Sequence, residues 1–247
     1  MINPMDLTGK HILITGGSSG IGRQCAIQAS RLGARVSVIA RREDALRETL
    51  SQMENPSLHA YFPADLSETE AIENLVRTIV VRQGPADGFC HAAGIGTGRT
   101  LKMSKPNYVE KMFRIHTFAF YELIRCLTLK DYTNDGASLV GISSVAAEKG
   151  NPTQEVYGSA KAAMNSFLQP VSAELAKRRI RVNAVAYAMV STPMFDEFKD
   201  NGGDERIMKR QYLGVIDPES AANAVMFLLS DASRFITASV LPVYAGC

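Results

Sequence analysis

The sequence predicts an α/β protein, a single doubly wound domain built on a parallel sheet. Three observations carry that expectation. Short apolar runs of strand length alternate with longer stretches of helical spacing along the whole chain. The first apolar run opens directly into a glycine-rich turn and then a helix start. The 247 residues show neither linker nor internal repeat, and α/β chains of this length commonly remain one unit.

The elements follow in order. His11–Thr15 reads as a buried parallel strand. It runs into Gly16-Gly-Ser-Ser-Gly20-Ile-Gly22, and Arg23–Leu32 then has helical spacing, ending at Gly33. Further strands are expected at Arg35–Ala40, Leu58–Phe62, Asp87–His91, Ser138–Ser143, Ile180–Ala186 and Ser239–Val243. Helices are expected between them at Glu68–Arg82, Asn107–Leu127 and Pro218–Leu229. A helix starting near Tyr157 contains Pro170. An interior proline removes one hydrogen bond and costs ~3 kcal/mol, which predicts a kink or early break near Gln169.

A strand, a glycine turn and a helix start together form a dinucleotide-binding element. Gly16 allows the tight turn, while Gly20 and Gly22 allow close backbone approach. The helix N-terminus offers unpaired N–H groups and partial positive charge to phosphate. Gly16, Ser18, Ser19, Gly20, Ile21 and Gly22 are therefore assigned to the cofactor. The spacing is G-x-x-x-G-x-G, not the broader G-x-G-x-x-G. Further on, Tyr157 and Lys161 stand four apart and so share one helix face. A fixed positive charge favours an ionised phenol and brings a tyrosine toward useful acid–base range. Ser144 lies upstream and can hold a substrate oxygen. These parts suit ketone–alcohol interconversion, although Y-x-x-x-K alone arises often by chance.

The pattern T-G-x-x-x-G-I-G, followed downstream by S…Y-x-x-x-K, resembles the short-chain dehydrogenase/reductase family over nearly the whole chain. The resemblance implies a Rossmann-type domain with a seven-stranded parallel sheet, a nicotinamide cofactor and hydride transfer at a carbonyl or carbinol carbon. It implies Tyr157 as general acid/base, with Lys161 lowering its pKa and bonding the nicotinamide ribose. Ser144 is selected over Ser143 by its thirteen-residue separation from the tyrosine; Ser143 is expected to bond backbone at the strand end. Asp65 and Leu66 resemble the adenine contact, with Ser67 a nearby helix cap, and Val190 and Thr192 resemble carboxamide contacts. Gly94 corresponds to the glycine that lets cofactor lie against the fourth strand.

Cofactor choice falls at the end of the second strand, where NAD-selective proteins usually place an acid. Here Ala40 is followed by Arg41 and Arg42. A guanidinium suits a 2′-phosphate, so NADP(H) is expected, with Arg41 the main contact. Two solvated arginines opening a helix is the alternative.

Several positions depart from the family. His91-Ala-Ala-Gly94 stands for N-N-A-G, leaving His91 as a packed or capped histidine that can still bond backbone. His116 aligns with the family's fourth catalytic residue, an Asn. It serves either as packing or as a proton relay. Tyr187-Ala188 replaces the usual Pro-Gly, and Val243-Tyr-Ala-Gly246 replaces V-D-G-G.

Residues 191–211 are expected to form a substrate lid, with Gly202-Gly203 for mobility. Met194, Phe195, Phe198 and Met208 provide its apolar contacts, and Asp196, Glu197, Lys199, Asp204, Glu205 and Arg206 its solvated face. The nearest subgroup is the 3-oxoacyl-[acyl-carrier-protein] reductases. Asp131-Tyr-Thr-Asn-Asp-Gly136 should repel an acidic carrier, leaving Arg178 and Arg179 as carrier contacts. A free small ketone or alcohol is favoured. A non-catalytic dinucleotide sensor is the other function class, disfavoured because it needs no intact Ser144, Tyr157 and Lys161.

A net charge of +2 gives no electrostatic case for nucleic acid or membrane. Apolar runs are too short for a spanning helix, and the start lacks signal-peptide regions. Cys25, Cys90, Cys126 and Cys247 have neither metal-ligand spacing nor disulfide density, so a reduced, cytoplasmic protein without metal is expected. The resemblance implies a homodimer or homotetramer built on the helices flanking the fifth strand.

Overall fold

A computed structural model describes residues 3–96, 98–200 and 209–247. Seven strands form one parallel sheet: β1 (His11–Thr15), β2 (Arg35–Ala40), β3 (Ala60–Pro63), β4 (Ala86–His91), β5 (Thr133–Ser144), β6 (Arg181–Tyr187) and β7 (Val240–Val243). Their order is β3-β2-β1-β4-β5-β6-β7. The order reverses beside β1, and a doubly wound sheet opens its ligand crevice at that switch, outside the strand C-termini.

The period-2 geometry of a strand splits the core into two layers. Ile12 and Ile14 face α1 (Gly20–Arg31) and the helix Pro218–Leu229, whereas Leu13 faces the opposite layer with Val76, Leu123 and Met164. That second layer is covered by α3 (Ile72–Gln83), α5 (Ala119–Leu127) and α6 (Glu155–Leu175). The remaining helices are α2 (Glu43–Ser51), α4 (Pro106–Phe113) and α7 (Pro193–Asp200), which makes the helix Pro218–Leu229 α8.

Four expectations change. The third strand starts at Ala60, because Asn55 in the left-handed region and Pro56 set a 3₁₀ turn over Pro56–Leu58. The fifth is longer than expected, beginning at Thr133. The stretch Asn107–Leu127 is not one regular helix: a π-helical turn, Arg114–Phe118, separates α4 from α5. No break occurs near Gln169; α6 continues through Pro170 to Leu175. Pro170 and Ser166 are both exposed, so water has access to the turn in which the Ser166 carbonyl lacks an N–H partner. Water there removes much of the reason to break the helix. Pro170→Ala should accordingly raise stability by roughly 2 kcal/mol, read as a higher urea midpoint at unchanged m-value.

Candidate active site

A cavity of about 1290 Å³ opens along the C-terminal ends of the strands. Every residue assigned from sequence to catalysis or cofactor binding lines it, including Ile21, Leu66 and Val190.

At one end lies the glycine turn. Gly16 has φ +68°, and a Cβ there would stand 2.7 Å from the Ala92 backbone. A Cβ at Gly22 would stand 2.4 Å from the Gly16 carbonyl oxygen, so the turn and the helix start are in main-chain contact. Ser19 begins α1 in extended conformation without a side-chain cap, and the first turn of α1 carries no acid. Its amides therefore face the cavity uncapped by side chain. Arg23 secures the turn from behind by donating to the Ser18 carbonyl at 2.7 Å and pairing with Glu48 at 2.9 Å. Arg41 and Arg42 follow β2 at the rim. Asp65 accepts bonds from the Ser67 amide (2.9 Å) and hydroxyl (2.7 Å). Ser67 is thus a turn partner of Asp65 and not a helix cap; the helix begins later, at Ile72.

The other end holds the acid–base groups. Ser144 ends β5, hydrogen-bonds Tyr157, and its hydroxyl also accepts from the Ala146 amide at 3.1 Å. α6 carries Tyr157 and Lys161 inward on one face. A Cβ at Gly158 would stand 2.4 Å from the Ala146 carbonyl oxygen, so α6 is pressed onto the turn that follows Ser144. Burial raises the Tyr157 phenol above its usual range, and the Ser144 bond opposes this. Lys161 is 3% exposed and donates to the Ile142 carbonyl at 2.6 Å. Burial brings its pKa down to about 7. Lys161 Nζ lies 5.8 Å from the Tyr157 ring centroid, and in the protein alone the phenol still stays above its usual range because burial outweighs what lowers it. The ammonium is drawn to the strand carbonyl, and burial weakens its charge.

This has a consequence for stability. Between pH 7 and 10.5 the unfolded chain holds the lysine proton while the native state does not, so stability rises with pH across that window. Below it both states are protonated and the burial cost is full. Lys161→Met should then be more stable than the parent by about 2 kcal/mol near pH 6.5, after allowing for the unbonded Ile142 carbonyl. Thermal melts should show this advantage shrinking toward pH 10.

His116 sits in the π-helical turn, 1% exposed, its ring edge-on to Tyr157 at 5.2 Å between centroids. Its Nε2 meets the Ile95 carbonyl at 2.8 Å, and Nδ1 is buried without a partner. Burial, with nearby Lys161, lowers its pKa well below that of free histidine, so the ring is neutral near pH 7. Gly94 lies directly under it: a Cβ would stand 2.5 Å from His116 Cε1. Ser143 does not bond backbone as expected; its hydroxyl is buried and unpartnered at the cavity wall. The last wall is the segment after β6, where Val190 bridges Ile216 and the Thr192 hydroxyl donates to the Val190 carbonyl at 3.2 Å. Tyr187, at the Pro-Gly position, donates its hydroxyl to the Ala221 carbonyl at 2.5 Å and ties β6 to α8.

These features fit a dinucleotide. The cradle admits no added methyl at Gly16 or Gly22, the helix start lacks side-chain caps, and Ser143 Oγ and His116 Nδ1 are unpaired polar atoms beside the catalytic groups.

On the substrate side, α7 brings Met194, Phe195 and Phe198 to the cavity. Asp196 pairs outward with Lys199 at 2.9 Å, but Glu197 also borders the cavity. Gly202, Gly203, Asp204, Glu205, Arg206 and Met208 lie outside the described residues. Arg99, Lys149, Asn151, Gln154 and Arg210 also line this side and were missed from sequence. The position of 149–154 between Ser144 and Tyr157 is the signal that could have found three of them. Cys25, Cys90 and Cys126 are buried. Among the described residues Glu73, Glu122 and Cys126 cluster, yet the Arg125 guanidinium binds both carboxylates. No described helix is long and apolar enough to cross a membrane.

A family profile described as enoyl-(acyl carrier protein) reductase matches residues 16–247. The chain belongs to the short-chain dehydrogenase/reductase family. It is 30% identical to L-xylulose reductase of Caenorhabditis elegans, covering 98% of this chain and 96% of that protein. It is 28% identical to the 3-oxoacyl-[acyl-carrier-protein] reductase FabG of Thermotoga maritima, covering 98% and 99%. Among solved structures, 7α-hydroxysteroid dehydrogenase complexed with NADH and 7-oxo glycochenodeoxycholic acid superposes with a TM-score of 0.91 at 26% identity, covering 100% and 98%. Members of this family are oxidoreductases that bind a nicotinamide dinucleotide, and the seven-stranded sheet and glycine turn here agree with that class.

Proposed function

We propose that the protein is an NADP(H)-dependent reductase that interconverts a small free ketone and its secondary alcohol. The carrying observation is that Ser144, Tyr157 and Lys161 converge in the same cavity as the α1 glycine turn and Arg41. When bound, the nicotinamide supplies the hydride to the carbonyl carbon. Ser144 holds the carbonyl oxygen, and the Tyr157 hydroxyl gives that oxygen its proton. Tyr157 would then regain a proton through Lys161, the residue that would hold the nicotinamide ribose and that otherwise donates to the Ile142 carbonyl. Burial keeps the phenol protonated before the hydride moves, as a reductive proton donor requires.

The preference for the 2′-phosphate rests on Arg41 and Arg42 at the end of β2. A neighbour of the same fold holds NADH, so the fold alone does not require the phosphate. The likeness to the Thermotoga FabG favours the second reading, a carrier-bound 3-oxoacyl substrate. Against it, Arg178 is engaged by Asp135 at 2.8 Å and by the Thr128 and Thr133 carbonyls, so it is not presented to a carrier. We place the enzyme in the cytoplasm as a homodimer or homotetramer. Exposed Phe118, beside Phe113, and exposed Tyr121, beside Phe167 of α6, support a helix-mediated interface.

NADPH oxidation should be measured against ketones, diones, keto-sugars and 3-oxoacyl thioesters. Turnover of free carbonyls ahead of carrier-linked thioesters is expected. Cofactor binding without turnover on any of them would instead support a sensor.

A further inference from the structure

His91 ends β4 where the family has an amide, and it is fully buried. Its Nδ1 lies 3.0 Å from the Thr15 hydroxyl and its Nε2 3.1 Å from the Ile115 carbonyl. The Thr15 oxygen also accepts from the Ala93 amide at 3.2 Å. One proton assignment satisfies all three contacts. A carbonyl only accepts, so Nε2 carries the proton; Nδ1 is then bare and accepts from the Thr15 hydroxyl. Burial holds the ring neutral, which this assignment needs.

Ile115 belongs to the π-helical turn, and the next residue is His116. His116 reaches back to Ile95, overlies Gly94 and stands edge-on to Tyr157. Two imidazoles thus clamp the loop after β4 to the π-helical turn, one on each side. We propose that His91 is a positioning residue: by holding the Ile115 carbonyl it sets the π-helical turn, and through His116 it sets both the Gly94 cradle and the ring of Tyr157. Its kinetic consequence rests on the reductase reading above. Its hydrogen-bond pattern does not.

Two substitutions separate the bonds. A glutamine amide nitrogen overlays Nε2 and can still donate to Ile115. An asparagine amide reaches only the Nδ1 position, keeping contact with Thr15 and losing Ile115. With a ketone turned over by the parent, His91→Gln should keep kcat within about threefold, while His91→Asn should lose about 100-fold, the scale of a misplacement near 1 Å. In ¹⁵N-histidine-labelled protein, the His116 ring signals should shift in His91→Asn and stay in place in His91→Gln. Packing alone, through the neighbouring Phe89 and Phe120 rings, would lower the melting temperature without separating the two variants. Equal kcat in both variants, or an unmoved His116 in His91→Asn, overturns the proposal. Should neither variant fold, the parent decides it: His91 protonated at Nε2 is the expected result, and protonation at Nδ1 overturns it. If the parent reduces no ketone, the reductase reading falls, while the ring tautomer and the His116 shift still judge this one.

Discussion

Tyr157→Phe should lower turnover by about 10³-fold while leaving NADPH affinity within about threefold. The substitution removes one oxygen from a ring held by α6 and His116, so the site keeps its shape. Ser144 can still hold a carbonyl oxygen, but no described group stands in for the phenol as proton donor. His116 is neutral with its Nε2 engaged at Ile95, and Lys161 donates to the Ile142 carbonyl. Single-turnover NADPH oxidation and fluorescence titration of NADPH check the two halves separately. A variant retaining a tenth of parental turnover would remove Tyr157 from the chemistry.

Arg41→Ala should weaken NADPH binding roughly 30-fold, the worth of one charge-assisted hydrogen bond near 2 kcal/mol. NADH affinity should stay within about threefold, because the lost partner is the 2′-phosphate alone. Arg41 lies at the cavity rim near Asp65, whose carboxyl is held below its ordinary range against burial mainly by the two Ser67 bonds and to a lesser degree by Arg41. It makes no ion pair with another side chain among the described residues. The effect should shrink as salt is raised, since an exposed charge pair is screened. Calorimetric titration of both dinucleotides at two ionic strengths measures it. Equal losses for NADPH and NADH would mean that Arg41 acts on the turn and not on the phosphate.

The strand–helix order and the cofactor cradle were legible because they rest on local chemistry. Apolar runs mark strands, and only glycine fits where Gly16 meets Ala92 or Gly22 meets Gly16. The catalytic spacing of Ser144, Tyr157 and Lys161 was legible through its resemblance to a family. What escaped depends on partners distant in sequence. Pro170 looks disruptive until it and Ser166 are seen to lie on the exposed face of α6. Lys161 does stand beside the phenol, but its hydrogen bond goes to the Ile142 carbonyl, a partner nineteen residues away that no local pattern reveals. Ser143 and Ser144 are neighbours in the chain, yet one hydroxyl is bonded and the other has no partner. The cations Arg99, Lys149 and Arg210 come from three separate segments, and no local pattern joins them.

The contact of Gly158 with the Ala146 carbonyl fixes how far the proton donor stands from the hydroxyl that holds the substrate. That separation is written in main chain, from the turn after β5 to the first turn of α6. Side chains on the substrate wall, away from His91 and His116, can therefore drift without changing it. A scaffold of this kind tolerates Tyr187 and Ala188 where relatives have proline and glycine. Its substrate range is thus free to diverge while its acid–base geometry is inherited unchanged.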